Sequence, residues 1–267
     1  NNVTGSVAGT SSVSGADFAV INAQAAAGST TATLVTGASG FETTGVLTGG
    51  SVSLSGNTVM AAANANTAGN TLSLTASNTL SASGVVNNVQ SLADGASVTA
   101  SIGLNAGTSG LTVKTGADAG GASVAVKDNV VKVSASANMA SNVLNAVATN
   151  SIAAAGAVTS PVAGTATPTF AVLNQQTTGA GSSVSSAINQ FNMGGSVLNG
   201  ALNTGGALAM TGNQFQATAY GNSATNAVQV SALSAGLNSA SASITNVQYN
   251  LASINSTINN INLQASS

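Results

Sequence analysis

The sequence contains no cysteine, histidine, arginine or tryptophan, and charged residues make up only 3% of its 267 positions. Each absence removes a class of function. Without cysteine there is no disulfide framework, and without cysteine or histidine the usual zinc sites and nucleophile–base pairs cannot be built. Lys114, Lys127 and Lys132, with a net charge of −2, give no basic footprint for nucleic acid. The acids Asp17, Glu42, Asp94, Asp118 and Asp128 show no paired spacing of the kind glycoside hydrolysis needs. The strings TGADAGG at 115–121 and KDN at 127–129 lack the dense acidic spacing of calcium loops. No apolar run reaches the roughly 18 residues of a membrane helix. The expectation is therefore no enzyme, no cofactor, no metal, no nucleic acid partner and no membrane span. With only two prolines and 43% hydrophobic residues, the chain is expected to fold. Residue 1 is Asn rather than Met, which reads as a processed chain whose signal peptide has been removed. So little charge also leaves little repulsion between copies, and association is expected.

What the sequence does contain is a repeated block. It reads GGSVSLSGNTVMAAANANTAGNTLSLTASN at 49–78, GASVAVKDNVVKVSASANMASNVLNAVATN at 121–150 and GGALAMTGNQFQATAYGNSATNAVQVSALS at 205–234. Asn57 maps to Asn129 and Asn213, Asn66 to Asn138 and Asn222, and Asn70 to Asn142 and Asn226. Asn78 maps to Asn150 but to Ser234 in the third copy. A second marker alternates with the block. FAVINAQ carries Asn22 and Gln24, FAVLNQQ carries Asn174 and Gln176, and the shorter NVQ carries Asn88 with Gln90 and Asn246 with Gln248. The marker order divides the chain into a partial rung at 1–24, repeats at 25–87, 88–173 and 174–245, and a partial rung at 246–267.

Within the block the period is two, the period of a strand. Val59, Ala61, Ala63 and Ala65 share a face, as do Val131, Val133, Ala135 and Ala137. From Asn66 the phase slips by one residue, so that Asn66, Ala68, Asn70, Leu72, Leu74 and Ala76 share the next face. A slip would turn every later side chain to the wrong side. It predicts a corner at Ala65–Asn66 in a left-handed turn conformation. Near the other end, Leu251, Ile254, Ile258 and Ile261 fall at helical spacing, which leaves a short helix as an alternative there. The fold expected is all-β: a repeat-stacked β-solenoid-like sheet with three imperfect repeats of about 66–86 residues. Repeats stacked about 4.8 Å apart would place each amide over its own copy, where it is hydrogen-bonded along the stack. Stacked charges would repel, which fits their scarcity.

The pattern G-N-x-V-x-A-x-A-x-A-N-x-A-x-N-x-L-x-L, from Gly56 to Leu74, resembles the repeats of bacterial functional amyloids. It is similar to the Fap-type fibre subunit, which also joins three imperfect repeats by unequal linkers. It is more distantly similar to curli repeats and to holdfast-associated adhesins. The chain is poorer in glutamine than Fap-type repeats and lacks their C-terminal Cys-x-x-Cys. The resemblance implies an extracellular fibre subunit that polymerises with itself, in a biofilm matrix or in surface attachment, with a matrix polysaccharide as a second partner. The competing expectations are a monomeric or tip-located β-solenoid adhesin that binds a polysaccharide or surface, and an immunoglobulin-like pilus subunit joined by strand donation.

Overall fold

Small and apolar residues at every second position make pleated strands, and the computed structural model contains no helix among its described residues. These are residues 1–9, 12–35, 38–42, 47–103, 109–115, 118–153, 168–197, 207–234, 236–238 and 240–266. The chain coils upward in rungs. The lowest rung holds β1 (Asn2–Gly9), β2 (Ser12–Ala26), β3 (Ser29–Leu34), β4 (Ala38–Glu42) and β5 (Leu47–Thr48). The second holds β6 (Ser51–Ser55), β7 (Thr58–Ala76), β8 (Thr79–Leu92), β9 (Ser97–Ile102), β10 (Ser109–Thr115) and β11 (Asp118–Gly120). Above it lie β12 (Ser123–Lys127), β13 (Val130–Ala148), β14 (Ser151–Ala153), β15 (Phe170–Thr178) and β16 (Ser183–Val197). The uppermost rung holds β17 (Ala207–Thr211), β18 (Gln214–Ala232), β19 (Gly236–Asn238), β20 (Ala242–Asn250) and β21 (Ser253–Ser266).

Like strands of successive rungs pair in parallel, giving the stacks β1-β7-β13-β18, β6-β12-β17, β2-β8-β15-β20 and β3-β9-β16-β21. The molecule is thus an all-β, parallel, repeat-stacked solenoid. The block copies lie in register along their whole length: Asn66 pairs with Asn138, and Asn138 with Asn222. Unequal linkers are absorbed between strands. Thr79 and its stacked partner Ser151 are 72 residues apart, whereas Asn88 and Asn174 are 86 apart. The extra length enters between β14 and β15, so the strands above and below it keep their register.

Two apolar clusters fill the coil. One gathers Val131, Val133 and Ala135 of β13 with Val98 and Ile102 of β9 and Val184, Ile188 and Phe191 of β16. Phe191 meets Phe215 edge-on, with ring centroids 5.9 Å apart. The other gathers Leu72, Leu74 and Leu144 with Leu80, Val86, Ile152 and Phe170. Burying one such leucine contributes about 1.5–3 kcal/mol. Between the clusters, the inward positions of β7 from Asn66 to Asn70, and of β8 at Asn88 and Gln90, carry buried amides.

The expected corner at Ala65–Asn66 is not a turn. β7 runs unbroken from Thr58 to Ala76, and neither residue has a positive φ. The inward face passes from Ala63 to Asn66 inside the strand, and in β13 Ser136, Ala137 and Asn138 are all buried. Pairing resumes on either side of Ala137, from Ser136 with Asn64 to Asn138 with Asn66. Because stacked strands slip together, the irregularity costs the ladder little and no turn is needed. Left-handed residues lie at other turns instead, and one such bend falls inside β16 and β21. Gly103 (φ 77), Gln190 (φ 49) and Asn260 (φ 51) sit at the bend after Ile102, Ile188 and the residues stacked on them. The segment with helical spacing is likewise a strand. Ile254 and Ile258 follow the two-residue period, and the left-handed residue Asn260 then adds one position before Ile261. Spacings of four and three therefore mimic a helix. No helix among the described residues is long and apolar enough to cross a membrane.

Candidate assembly interface

The stacked turns β6–β7, β12–β13 and β17–β18 use Gly56, Asp128 and Gly212 respectively, all with positive φ, to aim the next residue into the coil. That next residue is Asn57, Asn129 or Asn213. Asn57 Nδ2 donates to Asn129 Oδ1 at 2.9 Å, and Asn129 Nδ2 donates to Asn213 Oδ1 at 2.9 Å. The same oxygens accept the backbone N–H of Asn57 and of Asn129, at 3.0 and 3.1 Å. Each amide therefore joins side chain and backbone across one rung.

At the centre of the long strands, Asn66 Nδ2 donates to Asn138 Oδ1 at 2.8 Å, and Asn138 to Asn222 at 2.7 Å. The second N–H of each meets a backbone carbonyl on the facing strand: Ser91, Thr177 and Tyr249, at 2.8, 3.0 and 2.8 Å. Four residues further along the same strands, Asn70 donates to Asn142 at 2.7 Å and Asn142 to Asn226 at 2.8 Å. Opposite them on β8, β15 and β20, Asn88 donates to Asn174 at 2.8 Å and Asn174 to Asn246 at 2.7 Å. The two columns are stitched together by Asn22 to Asn70 at 2.7 Å, Asn70 to Asn88 at 3.1 Å and Asn142 to Asn174 at 3.2 Å. Asn70, Asn88, Asn142 and Asn174 are wholly buried, and both N–H groups of Asn142 are used. A buried amide without such partners would cost about 1–3 kcal/mol.

The glutamine column runs the other way. Gln90 Nε2 donates down to Gln24 Oε1 at 2.9 Å, Gln176 to Gln90 at 2.7 Å and Gln248 to Gln176 at 2.7 Å. Their remaining N–H groups meet the carbonyls of Thr67, Met139 and Ser223, for Gln24, Gln90 and Gln176 respectively, at 2.9, 2.9 and 3.0 Å. Asn150 donates to Asn78 at 3.1 Å, but this pair is exposed and lies outside the buried band. Asn64 faces outward and accepts from Ser136 Oγ at 2.5 Å.

Several stacked polar residues escaped the sequence reading. Ser97 Oγ donates to Ser29 Oγ at 2.9 Å, Ser186 and Ser256 lie 2.8 Å apart, and Thr178 Oγ1 donates to Asn250 Oδ1 at 2.6 Å. For the serines of β9, β16 and β21 the signal was present: SVTASI at 97–102, SVSSAI at 183–188 and SINSTI at 253–258 are a further repeated string. Asp94 Oδ1 accepts the Ala180 N–H at 2.8 Å, tying two stacked turns. Among the described residues no group of three or more His, Cys, Asp or Glu could hold a metal ion. Part of the string considered for calcium, 116–117, lies outside the described residues.

The uppermost rung continues these columns with nothing above it among the described residues. Asn246 and Gln248 are exposed although Asn174 and Gln176 beneath them are wholly buried. Ile254 and Ile258 are 40% and 45% exposed, whereas Val184 and Ile188 beneath them are 0% exposed. Compared with known proteins, the chain matches no family model, no curated sequence and no solved structure.

Proposed function

We propose that this chain is the structural subunit of an extracellular, self-assembling bacterial filament, of biofilm-matrix or surface-attachment type, which polymerises head-to-tail. One observation carries the reading: inward columns that are wholly buried one rung lower reach the uppermost rung half-exposed, as Ile254 and Ile258 do over Val184 and Ile188. A sheet edge that offers unpaired backbone together with apolar and amide columns is a template for another strand layer. The usual deterrents to such pairing, charge and proline at the edge, are nearly lacking in this sequence. A contact between the upper edge of one copy and the lower edge of the next is heterologous and does not close, so it generates a fibre.

Electron microscopy and fibre diffraction of the purified protein test this. Unbranched filaments with a repeat of about 4.8 Å along the axis are expected. Their formation should be nearly insensitive to salt, because so few charges are available to be screened. A species that stays monomeric at high concentration would overturn the reading. A second reading, an adhesin that binds polysaccharide, draws on a groove of about 110 Å³ in which Thr112, Lys114, Asn192 and Gln264 stand beside the apolar Val113 and Met193. It predicts specific glycan binding by a protein that forms no filaments.

A further inference from the structure

We infer that the counter-running amide columns make the two ends of the stack chemically opposite, so that a second copy of the chain joins the β20–β21 edge only through its own β2–β3 edge, pointing the same way. The inference rests on the filament reading and adds to it the origin of its direction. Backbone alone does not supply direction, since a free strand edge accepts either a parallel or an antiparallel neighbour. The side-chain columns do.

Every asparagine in the buried columns donates to the asparagine of the rung above or at its own level: Asn138 to Asn222 at 2.7 Å and Asn174 to Asn246 at 2.7 Å. Gln90, Gln176 and Gln248 each donate to the glutamine of the rung below, as Gln248 does to Gln176 at 2.7 Å. Neither direction is free to reverse. The second N–H of Asn138 is held by the Thr177 carbonyl at 3.0 Å, and that of Gln176 by the Ser223 carbonyl at 3.0 Å. A flipped amide would set its oxygen against that carbonyl oxygen, because only the nitrogen end donates. The upper edge therefore ends on an asparagine donor, Asn246 Nδ2, and a glutamine acceptor, Gln248 Oε1. The lower edge ends on the reverse pair: Asn22, 4% exposed with its Nδ2 committed to Asn70 at 2.7 Å, and Gln24, whose Oε1 is taken by Gln90 at 2.9 Å so that its Nε2 end is left. Upper edge on lower edge matches donor with acceptor in both columns. Two upper edges meet with their strands reversed: Asn246 then faces Gln248, but on the opposite wall Asn222 meets Asn226, and both present donors.

Cysteine cross-linking reads this directly, because the native chain has no cysteine. Ser29, Ser97, Ser183 and Ser253 form one column, with Ser29 and Ser253 exposed at its two ends. Proteins carrying Ser29→Cys and Ser253→Cys are mixed and oxidised with glutathione disulfide. Same-direction stacking brings the two positions to neighbouring rungs, about 4.8 Å apart, within reach of a disulfide. The mixed cross-link is expected to exceed either homodimer by about tenfold, a bias of the size that two mismatched hydrogen bonds supply. Adding Asn222→Ala and Asn226→Ala to the Ser253→Cys protein should erase most of its bias against the homodimer. Both residues lie on the uppermost rung, and neither is buried. Filaments whose cross-links are mainly homodimers would overturn the directional inference and leave the filament reading standing. A bias that survives loss of both amides would overturn the amides as its source. The absence of both filaments and cross-links would overturn the filament reading, and this inference with it.

Discussion

The apolar clusters and the amide band are built from the same strands, yet they vary in opposite ways between rungs. In the apolar columns Val59 and Val131 are followed by Phe215, and Leu74 by Ala146 and Val230. In the amide band Asn66, Asn138 and Asn222 stack without substitution, and so do Asn70, Asn142 and Asn226. Apolar contact is non-directional, so a column tolerates a change of shape if its volume is shared with neighbours. An amide column needs a donor over an acceptor at each step, and a shift by one residue leaves buried polar groups without partners. The clusters thus supply most of the burial, while the band sets which residue lies over which.

Asn142→Leu should break this division most severely. It keeps the volume roughly constant but removes bonds to Asn70, Asn174 and Asn226. Each orphaned partner costs about 1–3 kcal/mol. The largest fall in denaturant midpoint is expected here, with broadened amide resonances along β7 and β18 as the register loosens. Leu144→Ala, two residues away and wholly buried, should cost about 2–5 kcal/mol. Its register should stay intact: the midpoint drops while the hydrogen-exchange pattern of the amide band is kept. If both variants loosened the register equally, the distinction between band and cluster would fail.

Smaller effects are expected at the left-handed bend. Gly103→Ala places a methyl group against the Asn189 carbonyl at φ 77 and should destabilise the fold by more than about 1 kcal/mol. Gln190→Gly relieves a left-handed non-glycine residue and should raise thermal stability by up to about 1 kcal/mol. Smallest of all is Lys132→Ala. Its side chain faces outward between Met60 and Gln216, and the change should stay within about 0.5 kcal/mol by thermal melting.

Much of the stack was legible because a repeat carries its own alignment. Matching Asn57 with Asn129 and Asn213 in the sequence is the same operation as placing them in one column. The markers around Asn22, Asn88, Asn174 and Asn246 align in the same way. Side-chain phase, by contrast, does not convert uniquely into backbone shape. A one-residue slip at Ala65–Asn66 and the four-then-three spacing of Ile254, Ile258 and Ile261 are both local irregularities in a strand. Pattern alone assigned the left-handed turn to the first and left a helix open for the second. The structure has left-handed residues at several other turns, among them Gly103, Gln190 and Asn260 next to the second irregularity. Small residues such as Ala65, Ala137 and Gly221 let the first slip pass without a turn.

By itself, the sequence determined the membership and order of the columns. Each column repeats along the chain at spacings such as 72 and 84 residues, and stacking maps that repetition directly into space. Only the tertiary structure decided which columns face one another and which way each ladder donates. Asn70 meets Asn88 because β7 and β8 fold back on each other, a contact across 18 residues that the repeat comparison does not encode. The direction of donation follows from the carbonyls of Thr177 and Ser223, which come from strands on the opposite wall of the coil. A donor's orientation depends on its surroundings in three dimensions, and a one-dimensional repeat holds no trace of it.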